Sequence, residues 1–378
     1  MKKFNLKFFL LPVFFFAAIS CNNAQTNETT TNNTDTFVSV VENKEVTTVE
    51  TVTTDTIVIV GVGDIMLGTS YPDASTLPPN NDCSFEMANV KSYLQNADVS
   101  FCNLEGVMTT GGVAKTCNDP SVCYVFRMPE TFASCLVDAG FDLVSLANNH
   151  VNDFGAEGRE NTRKAIEAAG LTHAGLEDTP SAIFEKDGIK YGFAAFAPHT
   201  GTARFNNYTY VVEVVKKLEE ECDIVIVSFH SGAEGSGCQH VTRADEIFLG
   251  ANRGNVYKFA HLAIDAGADV VFGHGPHVTR AVELYKDRFI AYSMGNFCTY
   301  SRINIQGVSG LAPIFRVQTD KEGAFLKAEI IPTYQQRFKG TFVDPQKRVI
   351  KVIQDLTKAD FPETKLHISD DGIITPTE

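Results

Sequence analysis

The chain has 378 residues, of which 44% are hydrophobic, and its formal net charge at pH 7 is −14. This length allows one large domain or two small ones, each with its own core. Such an acidic surface argues against a protein that follows a phosphate backbone, so we expect no nucleic-acid partner. It does not exclude small anionic substrates, because a bound metal ion can reverse the field within one cleft.

The first twenty residues have the pattern of a secretory signal. Lys2, Lys3 and Lys7 precede the apolar run FFLLPVFFFAAIS, which is short for a membrane span. The run ends in AISC, so small residues precede Cys21 as in a bacterial lipoprotein cleavage box, although Ala18 replaces the usual Leu. We therefore expect a lipoprotein signal peptide over 1–20, lipidation at Cys21 and a folded domain anchored in the bacterial cell envelope outside the cytoplasm. An ordinary soluble secreted protein is the alternative.

Residues 21–55 are dominated by Thr and Asn and contain few large apolar side chains. Such a segment buries too little surface to offset its chain entropy, which predicts a disordered tether. Nine cysteines minus a lipidated Cys21 leave eight, an even number that is compatible with disulfides in an oxidising compartment. Cys117 and Cys123 are the closest pair in sequence, but the sequence does not determine the pairing.

From residue 56 the chain alternates apolar runs with amphipathic stretches, which is the pattern of an α/β protein. Apolar runs that lead into polar residues predict strands at 56–64, 97–106, 141–150, 222–232 and 268–277. Helical spacing occurs at 129–140, 157–170, 210–221 and 253–268, and hairpins are indicated at 182–199 and 282–297. An antiparallel pair at 311–320 and 323–333 completes a predicted single domain over 56–335, which a charged C-terminal extension over 336–378 follows.

The five predicted strands end in side chains that bind metals. These are Asp64, Glu105, Asn148 or Asn149 with His150, His230, and the pair His274 and His277. Each has an ordinary structural explanation when taken singly, such as a helix cap, a turn residue or a buried histidine. Strand ends of an α/β sheet converge on ligand sites, however, so their recurrence predicts one shared site. Carboxylates, imidazoles and an amide oxygen suit one or two divalent ions of Mn, Fe or Zn.

Several longer motifs carry a family resemblance. VGVGDIMLG, FCNLEG, LANNHVNDFG, VSFHSGAEG and GADVVFGHGPHVTRAVELYKDRFIAYSMGNF together resemble the CapA-type proteins of poly-γ-glutamate capsule synthesis, a branch of the calcineurin-like metallophosphatase superfamily. The resemblance covers roughly residues 57–300. It implies a metallophosphatase-like four-layer α/β/β/α sandwich with a single domain of catalytic type.

The resemblance also implies roles for particular residues. As metal ligands it implies Asp64, Glu105, Asn149, His230, His274 and His277. His150 would donate a proton to a leaving oxygen, with Asp153 orienting its ring. The chain departs from the superfamily pattern in three ways: Met66 replaces a histidine, Glu105 replaces an aspartate, and an extra residue separates His274 from His277. The number of ions, one or two, therefore stays open.

Three charged residues near the expected cleft are candidates for substrate binding. Glu234 is expected to contact the substrate, to be a further ligand or to support one. Arg253 and Arg280 are expected to bind an anionic substrate, with a surface salt bridge as the alternative for both. Asn296 is expected to orient the histidine loop through hydrogen bonds or to cap the turn at Gly295.

Three functions are compatible with these residues and with the resemblance. The first is a metal-dependent hydrolase of phosphoesters, or of a related bond in a polymer precursor, that takes part in capsule or exopolymer synthesis. The second is an accessory of capsule export that works with other capsule-synthesis membrane proteins and binds an anionic polymer without turnover. The third is a structural lipoprotein with a vestigial site.

Overall fold

A computed structural model describes residues 56–117 and 123–378. The predicted signal peptide, the tether and Cys21 lie outside the described residues.

Within these ranges the chain forms the following elements. The first ten strands are β1 (Ile57–Met66), β2 (Val99–Leu104), β3 (Val107–Met108), β4 (Arg127–Met128), β5 (Leu143–Ser145), β6 (Thr172–Ala174), β7 (Ser181–Lys186), β8 (Ile189–Phe196), β9 (Ile224–His230) and β10 (Ile247–Phe248). The next ten are β11 (Ala251–Asn252), β12 (Val270–His274), β13 (Val282–Tyr285), β14 (Arg288–Ala291), β15 (Asn296–Thr299), β16 (Leu311–Thr319), β17 (Phe325–Gln336), β18 (Gly340–Val343), β19 (Leu366–Ile368) and β20 (Ile373–Pro376). The α-helices are α1 (Lys91–Gln95), α2 (Ala133–Ala139), α3 (Gly155–Ala168), α4 (Tyr208–Glu219), α5 (Val256–Asp265) and α6 (Arg348–Asp360).

Two large sheets dominate the described residues. The first has the strand order β19-β20-β17-β16-β1-β2-β5-β6, with β15 joined to β1 and β18 joined to β17. The second has the order β13-β14-β12-β9-β8-β7. Strands β1, β2, β5 and β6 run parallel, as do β8, β9, β12 and β14. The carboxyl ends of each parallel group therefore lie along one edge of its sheet.

The alternation of side chains along these strands produces the layers. On β1, Ile59 faces the core between the two sheets, whereas Val60 and Val62 pack with residues of α2 and α3 on the outer face. On β9, Ile226 faces the same inner core, and Val227 packs with residues of α4 and α5. A strand buried on both faces needs apolar residues throughout, which explains the continuous apolar runs in the sequence. The expected four-layer α/β/β/α sandwich is confirmed.

Close approach of the sheets depends on Gly61. A Cβ atom at this position would lie 2.6 Å from the ring of Phe272, which belongs to the facing sheet. Phe272 in turn stacks on Phe101 with ring centroids 5.5 Å apart. The two sheets are thus held together by aromatic packing that a larger residue at Gly61 would push apart.

The predicted hairpins and the final strand pair are present. β7 pairs with β8, β13 with β14 and β16 with β17, each in antiparallel orientation. The residues from 336 onward, expected as a C-terminal extension, continue the first sheet, since β20 pairs with β17. In α6, Val349, Ile350 and Ile353 belong to the core between the sheets. These residues supply part of the sandwich core.

Two disulfides stabilise the described residues. Cys117 pairs with Cys123, the closest pair in sequence, and Cys83 pairs with Cys135 across 52 residues. Cys102, Cys222, Cys238 and Cys298 are free thiols. The described helices are all too short or too polar to cross a bilayer.

Candidate metal centre

The candidate site forms where β1, β2, β9 and β12 end. Asp64 on β1 lies beside Asn103 on β2 and beside Asn296 on β15, in neighbouring registers of the first sheet. His230, at the end of β9, lies beside His274, at the end of β12, in the second sheet. The two sheets therefore present their polar strand ends to each other across the edge of the sandwich.

Asp64 connects the two sheets. Its Oδ1 accepts a hydrogen bond from Asn103 at 2.8 Å and lies 3.1 Å from Nδ1 of His274, while its Oδ2 lies 3.1 Å from Nδ1 of His277. Burial opposes ionisation of this carboxyl, but the hydrogen bonds from His274 and His277 outweigh it and hold the pKa of Asp64 well below its ordinary value. Asp64 is therefore a buried carboxylate at neutral pH.

Glu105, His230 and His277 form the group with metal-site geometry. Each offers one ligand atom, and these three atoms lie within 4.8 Å of one another. Nε2 of His277 is 3.3 Å from Oε1 of Glu105, and Nε2 of His230 is 3.9 Å from the same oxygen. Burial and the neighbouring charges of Asp64 and Glu234 raise the pKa of Glu105 well above its ordinary value. A divalent cation would remove this penalty by neutralising the crowded carboxylates.

Unpartnered donor atoms test whether a metal fits. Among the described residues, both carboxylate oxygens of Glu105, Nε2 of His230, Nε2 of His274 and Oδ1 of Asn149 are buried without a hydrogen-bond partner. Orphaned buried polar atoms are rare and costly, and these atoms are all of the types that coordinate borderline divalent ions. The residues present therefore fit a divalent metal ion.

The GHGPH turn brings its two histidines to this site by close backbone packing. A Cβ on Gly275, whose φ is +113°, would lie 2.6 Å from the carbonyl oxygen of Ser231. His277 adopts a φ of +57°, and its Nδ1 also lies 3.0 Å from Oδ1 of Asn296. Burial disfavours a charged ring, but Glu105 and Asp64 outweigh it and raise the pKa of His277 to about 10. The small residues thus allow a turn that aims both rings at the carboxylates.

His150 and Asp153 lie next to the donor group. Nδ1 of His150 is 2.8 Å from Oδ2 of Asp153, and its Nε2 is 3.8 Å from Oε1 of Glu105. Asp153 is fully buried and forms an ion pair with Lys115 at 2.6 Å. The ring of His150 also packs on Phe126, with centroids 4.4 Å apart. These contacts fix the orientation of His150, with Nε2 facing the carboxylates.

An open cleft of about 530 Å³ lies above these residues. Asn149, His150 and His277 line it, as do Glu234 and Arg253. The guanidinium of Arg253 forms an ion pair with Glu234 at 2.9 Å and donates to Nε2 of His199 at 2.9 Å. Burial and the charge of Arg253 lower the pKa of His199 to about 3, so its ring is neutral. Both predicted contact residues, Glu234 and Arg253, thus face the cleft, where they bind each other.

Arg280, the other predicted anion-binding residue, has a different environment. Its side chain is 1% exposed, and its guanidinium donates two hydrogen bonds to Glu246 at 2.8 and 2.7 Å. Nε of Arg280 donates to the carbonyl oxygen of Cys238 at 2.8 Å. The expectation of substrate binding at Arg280 is therefore corrected: its charge is neutralised inside the protein, and it supports the loop that follows β9. The sequence does not reveal this pair, because Glu246 lies 34 residues away in the chain.

Sequence reasoning missed Asn103 and His199 near the centre and left the choice between Asn148 and Asn149 open. Asn103 contacts both Asp64 and, at 3.3 Å, Nδ1 of His230. Asn148 donates to the carbonyl oxygen of Leu104 at 2.7 Å and accepts from the backbone N–H of His150, so it supports the ligand loop. His199 was missed because it follows a hairpin strand. Asn103 lies on β2 two residues before Glu105, which directly follows the strand, and this spacing was the signal for Asn103.

Comparisons with known proteins place these motifs in a family. The model of the family described as "Bacterial capsule synthesis protein PGA_cap" matches residues 58–301. The capsule biosynthesis protein CapA of Bacillus anthracis is 26% identical over 62% of this chain and 58% of its own length. The PGA biosynthesis protein CapA of Bacillus subtilis (strain 168) is 25% identical over 62% of this chain and 61% of its own length. The match thus spans about three-fifths of each relative. A 5'-nucleotidase from Candida albicans SC5314 aligns in structure with 12% identity, a TM-score of 0.39 and coverage of 82% of this chain and 58% of its own.

Proposed function

The chain belongs to the bacterial capsule synthesis protein family PGA_cap, and from this premise we propose that it acts in capsule or exopolymer biosynthesis as a metal-dependent phosphoesterase. The substrate is a phosphoester or a related bond in a polymer precursor. Two relatives are named for capsule and PGA biosynthesis, which supports a role in that process. Their names do not give the chemical step, which we infer from the residues of the site.

One observation supports the chemistry above all others. Buried oxygen and nitrogen donors from both sheets converge without partners, next to an open cleft that Asn149, His150 and His277 line. A protein bears the desolvation cost of such atoms where a ligand satisfies them. Perturbed carboxylates and histidines in a cleft are typical of catalytic sites.

We expect Glu105, His230, His274, His277 and Asn149 to hold the ion or ions. Asp64 completes this set, and Mn, Fe and Zn are the metals that suit these donors. Such an ion, when bound, supplies Lewis acidity and an activated water for hydrolysis. The family pattern has a further histidine ligand at the position of Met66, whose side chain is fully buried. The loss of this ligand favours weaker occupancy by a second metal ion.

The protein's own residues orient the reaction. Asp153 accepts from Nδ1 of His150, so this hydrogen bond leaves Nε2 facing the carboxylates and the cleft. When its ring carries both protons, His150 is therefore placed to donate a proton or hydrogen bond from Nε2 to the leaving oxygen. Arg253, held by Glu234 and His199, lies on the wall of the same cleft and is placed to bind an anionic group.

Hydrolysis of a panel of phosphoesters in Mn²⁺, Fe²⁺ or Zn²⁺ tests this proposal. We expect turnover that chelation abolishes and that His150→Ala lowers strongly. The surface control His240→Ala should leave turnover unchanged, since the side chain of His240 is 66% exposed and pairs with Asp360, outside the cleft. Protein that retains its metal yet hydrolyses none of the panel would contradict phosphoesterase activity.

A second candidate function is a polyanion-binding accessory of capsule export. The cations Lys115, Arg253 and Arg302 line the cleft of an otherwise acidic chain, which favours an anionic ligand even without turnover. Binding of poly-γ-glutamate that survives His150→Ala, in a protein without hydrolytic activity, would select this function.

We also propose that the protein acts at the cell envelope, anchored through Cys21 and beside other capsule-synthesis membrane proteins. The small residues before Cys21 support this proposal. Fatty-acid labelling of cells should mark the wild-type chain but not Cys21→Ser. Equal labelling of both chains, or of neither, would contradict the anchor.

A further inference from the structure

Four large hydrophobic side chains are the most exposed of their kind among the described residues. They are Val113, Leu249, Ile247 and Tyr124, with exposures of 86%, 68%, 60% and 50%. Leu249 and Tyr124 line the cleft itself. Ile247 belongs to the same short hairpin as Leu249, formed by β10 and β11. We call Tyr124, Ile247 and Leu249 the apolar rim.

Single exposed hydrophobic residues are common and need no explanation. The presence of two of them, Leu249 and Tyr124, at one cleft of a chain with a net charge of −14 does need one. Leu249 also adopts a φ of +48° at the hairpin tip, a conformation that L-residues rarely occupy. A leucine kept exposed in a strained turn points to a ligand that it contacts.

The chemistry beneath the rim is of the opposite kind. Lys115, Arg253 and Arg302 line the walls together with His277, whose Nε2 lies 3.3 Å from Oε1 of the buried Glu105. A ligand that satisfies both regions has an anionic head and a hydrocarbon chain. The cavity of about 530 Å³ accommodates a phosphate group together with the first several carbons of a chain.

We infer that the substrate is a lipid phosphate, a phosphoester attached to a long hydrocarbon chain, with its head at the metal donors and its chain against the apolar rim. This inference rests on the proposed function and names the substrate class for the same site. It also places the cleft mouth at a bilayer surface, because such a ligand is held in a membrane by its chain.

The test uses alkylphosphonates, which carry the head group but no hydrolysable ester. Butyl-, octyl- and dodecylphosphonate are titrated into the protein by calorimetry, each below its critical micelle concentration and in the presence of Mn²⁺. Every sample is the full chain carrying Cys21→Ser. Transfer of one methylene out of water is worth roughly a fourfold gain in affinity, so we expect a gain of at least about tenfold from butyl to octyl. The double variant Ile247→Ser with Leu249→Ser should reduce that gain to below about threefold.

Matched controls separate the rim from the rest of the molecule. Ile373→Ser changes an isoleucine that is 38% exposed on β20 and should keep the full gain. Equal affinity of all variants for butylphosphonate shows that the site is intact in each. Wild-type affinity that does not depend on chain length would overturn the inference, as would a gain that survives the double variant. Phosphoester hydrolysis is measured separately: its absence alongside a clear chain-length gain would refute the catalysis and leave the lipid ligand standing.

Discussion

The same substitution at two buried glutamates should have opposite consequences. Glu105 is fully buried, and both its oxygens lack hydrogen-bond partners among the described residues. Glu246 is also buried, but Arg280 donates to its two oxygens at 2.8 and 2.7 Å, and the backbone N–H of Ala233 donates at 2.7 Å. We predict that Glu105→Gln damages the function but not the fold, and that Glu246→Gln does the reverse.

The magnitudes follow from these contacts. In Glu105→Gln a neutral amide replaces a carboxylate whose ionised form is disfavoured by burial. His277 keeps its contact with Asp64. Without metal, the free energy of unfolding should therefore lie between about 1 kcal/mol below and ~2 kcal/mol above that of the wild type. Glu246→Gln leaves the buried guanidinium of Arg280 without its countercharge, which costs about 3 kcal/mol or more.

Urea unfolding in chelator and in excess Mn²⁺ measures both effects. Wild-type protein and Glu246→Gln should both gain stability from metal, because an ion that binds only the folded state stabilises it by mass action. Glu105→Gln should lose most of that gain. A loss of more than about 2 kcal/mol for Glu105→Gln in chelator, together with an unchanged gain in Mn²⁺, would show that Glu105 is structural and refute the reasoning.

Three further predictions concern separate parts of the molecule. Burial raises the pKa of Glu86 from 4.5 to about 8. As the pH rises, unfolded chains therefore lose this proton before folded chains do, and the free energy of unfolding should fall between about pH 4.5 and 8 by on the order of 5 kcal/mol. Urea titrations at several pH values measure this fall, which Glu86→Gln should remove. Asp153→Asn, which disturbs the ring orientation of His150, should lower kcat roughly 100-fold at unchanged metal content; a KM effect alone would argue against orientation. Gly275→Ala, which pushes a Cβ against Ser231, should destabilise the fold by about 2 kcal/mol and weaken metal binding in thermal-shift assays; wild-type values for both would contradict the close-packed turn.

Strand ends were the part of the fold that the sequence predicted best. The apolar runs at 222–232 and 268–277 correspond to β9 and β12, and their terminal His230 and His274 lie side by side. Such runs are informative because a strand buried on both faces must be apolar until it reaches the ligand edge.

Features that depend on distant partners were not predictable in the same way. The environment of Arg280 is set by Glu246, and that of His199 by Arg253, through contacts that close long loops. A single sequence shows the charge of each residue but not its neighbour. The role of α6 in the core was missed for a related reason, since its amphipathic pattern does not show which surface it covers.

The metal content of the full chain, purified without chelator, tests the central claim most directly. We predict one to two divalent transition-metal ions per folded chain, with occupancy falling sharply in His277→Ala and unchanged in His240→Ala, since His277 lies within the donor group and His240 pairs with Asp360. The account would be contradicted by folded protein that stays free of metal when Mn²⁺, Fe²⁺ and Zn²⁺ are supplied in excess. Metal occupancy that His277→Ala does not change would contradict it as well.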